Sequence, residues 1–204
     1  MAQAAVEHTH AHVEQAARVA NLKFGMWLYL GSEVVIFATL IGAFAILRIR
    51  DKEAIEIGRE ALSIPLVSFN TFLLLASSWA MVMGLVAIQR DNRMGLVRWI
   101  GLTAILGAIF VALQYVEYQE LAHEGITLYF SDPQRSAFGM RFYALTSFHG
   151  FHVIIGVIWA LYLVFKGFKG VYSSHNFIGV EIFGLYWHFV DVVWIILFTL
   201  IYLI

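Results

Sequence analysis

The sequence predicts an all-α, polytopic membrane protein built as a bundle of five transmembrane helices, and three observations carry that prediction. Of 204 residues, 61% are hydrophobic and 13% charged, against about 45–50% and about 25% in soluble domains. A soluble fold of this size would lack the polar side chains to cover itself. The apolar residues gather in five stretches of about 20–25 residues, each long enough to cross about 30 Å of hydrocarbon at about 1.5 Å per residue. No stretch shows the roughly ten-residue alternation of a transmembrane barrel, so only helices satisfy the backbone polar groups inside lipid.

Residues 1–22 are polar and alanine-rich and lack the apolar centre of a signal peptide. They read as a polar N-terminal tail. His8, His10 and His12 stand there on alternate positions, a pattern that admits weak, adventitious metal binding. The membrane domain covers residues 23–204. Its first span is expected at about 23–47. The second, at about 65–88, opens on Pro65, a residue favoured in a first helical turn. The third is expected at about 96–117 and continues as helix towards Glu120. The fourth lies at about 142–165 and the fifth at about 180–204.

The links between spans differ in character. Residues 48–64 mix charges with Ile49, Ile55, Ile57, Leu62 and Ile64, the composition of a partly helical interfacial segment. Residues 89–95 form a short polar turn. The link 118–141 contains Gly125, Asp132 and Pro133 and is long enough to form a cap. The link 166–179 carries Lys166, Gly167, Lys169 and Gly170. Basic residues barely set the orientation: Arg18, Lys23, Arg90, Arg93, Arg98, Lys166 and Lys169 fall on one side, and Arg48, Arg50, Lys52, Arg59, Arg135 and Arg141 on the other. The lean is towards an inside N-terminus. No internal repeat is evident, and five spans do not divide into inverted halves, which disfavours the common transporter architectures.

Cysteine is absent and the formal net charge is −1. Disulfides, thiolate metal sites, iron–sulfur clusters and cysteine nucleophiles are excluded. No polybasic run points to nucleic acid.

Ionisable side chains within a span are costly and mark sites. Glu33 lies about ten residues into the first span, where it must pair, reach water or take up a proton; helix locking and a proton-antenna or lipid-cleft role both remain open. Glu117 and Glu120 close the third span and are expected to be solvated or hydrogen-bonded, with proton collection or subunit contact as the alternative. His149 and His152 share one helix face, as do His188 and Asp191. These four admit a structural polar network, lipid or proton-network use, or a metal site; no metal is assigned. Their spacing does not hold two stacked haems, and the chain lacks the histidines of an oxygen-reducing haem and copper centre. Trp27, Trp99 and Tyr143 suit interfacial belts; Trp187 and Trp194 flank the His188–Asp191 pair. Gly84, Gly101, Gly107, Gly150 and Gly156 permit close helix approach.

Taken together these motifs have a family likeness. Residues 186–194 (YWHFVDVVW) resemble the last helix of subunit III of haem–copper terminal oxidases, and residues 148–156 (FHGFHVIIG) resemble the helix before it. Residues 31–37 (GSEVVIF) resemble the family helix with an intramembrane glutamate. Phe69-Asn70-Thr71 with residues 74–78 (LLASS) is similar to the next helix, and residues 114–118 (QYVEY) to the middle one. The motifs run in family order over residues 24–204, and the chain looks like the short, five-helix bacterial form.

The resemblance implies a non-catalytic subunit of an oxygen-reducing, proton-translocating complex of the respiratory chain in the bacterial cell membrane. In that picture this chain binds no cofactor of its own. Haem and copper belong to partner subunits, the main contact is oxidase subunit I, with subunit II and a small subunit IV as further partners, and phospholipid is bound. The N-terminus is cytoplasmic and the C-terminus outside. Glu33, Glu117, His149, His152, His188 and Asp191 form the proton-antenna or polar network, and Glu33, His149, His152 and Trp187 are the lipid-binding candidates. Cytochrome c is favoured as the electron donor over quinol. A nitric oxide reductase accessory subunit, or an independent membrane cytochrome using His149, His152 and His188, are the alternatives.

Overall fold

A computed structural model describes the backbone of residues 2–127 and 133–204, and the side chains of residues 15–127 and 135–204. The side chains of His8, His10 and His12, and Asp132, lie outside the described residues. Helix α1 spans Ala2–Arg50, α2 Lys52–Ala61, α3 Ile64–Gln89, α4 Arg93–His123, α5 Pro133–Phe168 and α6 Ile178–Phe198, and α6 runs on into a π-helical turn at Thr199–Leu203. Five of these helices are long and apolar enough to cross a membrane, as the sequence predicts.

Helices α1, α3, α4 and α5 outrun their apolar stretches at both ends. The link 118–141 is not the long cap its length suggests, because α4 continues to His123 and α5 starts at Pro133. Its polar residues end the apolar stretch without interrupting backbone hydrogen bonding. The real stop is Gly125, with φ of +79°. There Gly125 N–H donates to the Ala122 carbonyl at 3.1 Å and Ile126 N–H to the Leu121 carbonyl at 2.9 Å, the paired bonds of a glycine-terminated helix. Gly170, with φ of +71°, ends α5 in the same way.

The segment between the first two spans is indeed helical. Asp51 accepts from Ala54 N–H at 3.1 Å and so caps α2. Ala54, Ile55 and Gly58 face the bundle, and the charged side chains face outward. Gly58 lies against the Phe138 ring, where any Cβ would collide. Arg48 and Arg59 then tie this end to the C-terminus, donating to the carbonyls of Leu200 at 2.7 Å and Ile204 at 3.1 Å.

Helices α3 to α6 form the packed body, and α1 lies against α5 and α6. Among the described side chains of α1, only a narrow stripe is buried: Leu30, Glu33, Phe37, Phe44 and Leu47. Trp187 of α6 is fully enclosed because Gly107 of α4 and Gly156 of α5 leave room for its indole. A Cβ at those positions would approach it to 2.7 and 2.5 Å. Gly84 likewise admits Ile100, whereas Gly101 and Gly150 face open space and mediate no close approach. Tyr143 is buried rather than interfacial, because its hydroxyl donates to the Ile126 carbonyl at 2.9 Å and pins the α4–α5 loop. Trp27 does lie exposed at the surface, and Trp99 packs edge-on against Trp79 at 5.2 Å.

Candidate functional site

The helices alternate in direction, so the α2 end of the bundle gathers the C-termini of α1, α4 and α6 and the N-termini of α3 and α5. Lys23 and Glu181, paired at 2.6 Å, mark the opposite end. Between them the predicted polar residues fall into three groups.

The first group joins α1 to α5. Glu33 Oε2 stands 3.2 Å from His152 Nε2, with the two side chains 11% and 5% exposed. His152 Nδ1 lies 2.8 Å from the Phe148 carbonyl. A carbonyl only accepts, so Nδ1 carries the proton of that bond, and Nε2 is the nitrogen that faces the carboxyl. The Phe37 ring, 5.3 Å from the imidazole, and the Phe148 ring, at 4.7 Å, wall it. Tyr186 fixes the same turn of α5 by donating to the His152 carbonyl at 2.8 Å.

The second group joins α6 to α3. His188 Nδ1 is 2.7 Å from Ser78 Oγ. Asp191, one turn further along α6, is buried, and neither of its oxygens has a hydrogen-bond partner among the described residues. Beside them Trp187 Nε1 donates to Ser77 Oγ at 3.0 Å, and the Thr103 hydroxyl contacts the Ser77 carbonyl at 3.3 Å.

The third group lies nearer the α2 end. Glu117 is buried on the same stripe as Phe110, Gln114 and Leu121, and accepts from Gln114 Nε2 at 3.3 Å. Glu120, off that stripe, is exposed. The two carboxyls that look equivalent in sequence thus have opposite environments, decided by helix azimuth. Asn70 donates to the Phe110 carbonyl at 3.1 Å, and Trp194 Nε1 to Thr71 Oγ1 at 2.9 Å. His149 stacks on Trp194 at 4.9 Å, is wholly buried, and has no hydrogen-bond partner at either ring nitrogen among the described residues.

The structure therefore brings Glu33 to His152 and His188 to Ser78, with Asp191 one helical turn from His188. It does not bring His149 into contact with either carboxylate by hydrogen bond. His149 and Trp187 are enclosed by protein and reach no lipid-facing surface. Among the described residues no group of three or more His, Cys, Asp or Glu is arranged to hold a metal ion. Ser77, Ser78, Asn70, Thr71, Gln114 and Tyr186 were not singled out as site residues. Their signal is a polar side chain inside an otherwise apolar span, four of them on α3.

A family profile described as "Cytochrome c oxidase subunit III" matches residues 2–204. A cytochrome bo(3) ubiquinol oxidase subunit 3 of Pseudomonas aeruginosa is 32% identical, over 97% of this chain and 91% of its own length. A cytochrome c oxidase subunit 3 of Bacillus sp. (strain PS3) is 36% identical, over 90% of this chain and 86% of its own. A quinol oxidase subunit 3 of Bacillus spizizenii is 34% identical, over 96% and 94%.

Proposed function

Because this chain belongs to the cytochrome c oxidase subunit III family, and is thereby a subunit III of a haem–copper oxidase, we propose that it serves its complex without carrying a redox centre. In this reading haem and copper sit in partner subunits, and subunit I is its main contact, with subunit II and a small subunit IV beside it. The chain supports assembly, lipid binding and proton uptake. Cytochrome c is the favoured electron donor. Relatives named for both cytochrome c and quinol leave the quinol reading standing beside it. The membrane is the bacterial cell membrane, with the N-terminus cytoplasmic.

The observation that carries this reading is the Glu33–His152 pair. It is buried, and its carboxyl sits on the spanning helix that the rest of the bundle covers least among the described residues. A carboxyl placed there influences a proton-input region through its field and by locking α1 to α5. The lipid-facing role falls on Glu33 and His152 at the seam, since His149 and Trp187 lie behind it. His188, Asp191 and Glu117 complete the polar network inside the bundle.

The test is Glu33→Gln and Glu33→Ala in the assembled complex. The expected result is unchanged optical spectra with a shortened turnover lifetime and altered proton stoichiometry. If assembly, lifetime and stoichiometry all match the parent, Glu33 has no functional role. The sequence of the co-purifying subunit II, with or without copper-ligand cysteines, decides the donor.

A further inference from the structure

The Glu33 carboxyl has a second polar neighbour, on its own helix. Tyr29 precedes it by four residues on α1, a spacing that puts both side chains on one helix face. The Tyr29 hydroxyl lies within hydrogen-bonding reach of the carboxyl. The carboxyl is thus met by an imidazole from α5 and a phenol from α1.

One buried side chain of α6 sets both of these groups. The Tyr186 ring, 1% exposed, stacks with the Tyr29 ring at 6.4 Å and 24° and with the His152 ring at 6.5 Å and 26°. Its hydroxyl donates to the His152 carbonyl at 2.8 Å. Tyr29 and His152 differ in access. Tyr29 is 40% exposed, whereas the His152 side chain is enclosed. Tyr29 also stands one turn, about 6 Å, nearer the end marked by Lys23 and Glu181.

The chemistry of a phenol suits this place. The last torsion of a glutamate is broad, so one neighbour leaves the carboxyl free to turn and a second fixes its plane. A phenolic hydroxyl donates to a carboxylate and accepts from a carboxylic acid, so the contact serves Glu33 in either protonation state.

We propose that Tyr29 is a positioning residue for Glu33: its hydroxyl hydrogen-bonds the carboxyl, and Tyr186 keeps that hydroxyl and the His152 imidazole in register. The inference rests on the reading of Glu33 given above. It adds the second group that orients the carboxyl and the buried ring that links the two.

The experiment uses the intact complex. Tyr29→Phe removes one oxygen and keeps the ring against Tyr186. The infrared carboxyl bands of Glu33 are those lost in Glu33→Gln. In Tyr29→Phe these bands are expected to shift, and the turnover lifetime to fall between those of the parent and Glu33→Gln. Tyr115→Phe, at a tyrosine 63% exposed on α4, is the control and is expected to change neither. Unshifted Glu33 bands in an assembled Tyr29→Phe complex would overturn the proposal. So would an equal shift in Tyr115→Phe, because the effect would then not be local. If the bands shift only in Tyr29→Phe while Glu33→Gln keeps the parent's lifetime and proton stoichiometry, the positioning stands and the functional reading of Glu33 fails.

Discussion

Replacing His152 by leucine tests whether the Glu33–His152 pair is a unit. Leucine keeps the packing against Phe37 and Phe148 but takes the imidazole away from the Glu33 carboxyl, at a site where the two side chains are 11% and 5% exposed. Breaking a buried pair from one side costs about 3–5 kcal/mol, because the remaining group stays desolvated. The residual exposure of Glu33 puts the expected loss near about 3 kcal/mol. Glu33→Leu strands only an imidazole and costs about 1–3 kcal/mol. The double leucine variant strands nothing and is expected within about 1 kcal/mol of the parent, since apolar replacement of a whole buried pair is often close to neutral. At about 2–4 °C per kcal/mol for a chain of this size, His152→Leu lowers the midpoint by about 6–12 °C. The assay is thermal release of this chain from the purified complex, followed on native gels. If the double variant loses the sum of the two single losses to within about 0.5 kcal/mol, the residues act independently and the pairing argument is wrong.

Trp187→Ala empties the niche formed by Gly107 and Gly156 and is expected to cost about 3–5 kcal/mol, seen as loss of the chain from the complex at moderate temperature; full retention would contradict the packing. Arg48→Met removes the charged donor to the Leu200 carbonyl, a bond worth about 1.5–3 kcal/mol, and faster hydrogen exchange confined to residues 199–204 is the expected reading. Gly125→Ala and Gly170→Ala force a side chain into the left-handed region and each costs about 1–2 kcal/mol. Gly101→Ala, in a helix with open space around it, is neutral or stabilising by up to about 1 kcal/mol; thermal midpoints of the three variants check the contrast.

Much of this protein is legible from its residues alone. Five apolar stretches of sufficient length determine five helices, because lipid offers the backbone no other partner. The same logic isolates Glu33, Glu117, His149, His152, His188 and Asp191, since ionisable groups are rare where they cannot be hydrated. Helix ends were not legible, because hydropathy reports where lipid stops and not where backbone hydrogen bonding stops. Thus α4 passes beyond its apolar stretch to His123 and halts only at Gly125. Nor could spacing say which polar groups meet. His149 and His152 share a helix face in sequence, yet one stacks on Trp194 in the bundle interior and the other faces Glu33 across the α1 seam. Glu117 and Glu120 differ by three residues, and one is buried while the other is exposed. Glycines look alike in sequence, but Gly107 and Gly156 admit the indole of Trp187 and Gly101 admits nothing. Span count and polar content follow from local chemistry, which the chain writes in order. Partnership, azimuth and enclosure follow from how helices distant in sequence face one another, and only the assembled bundle decides them.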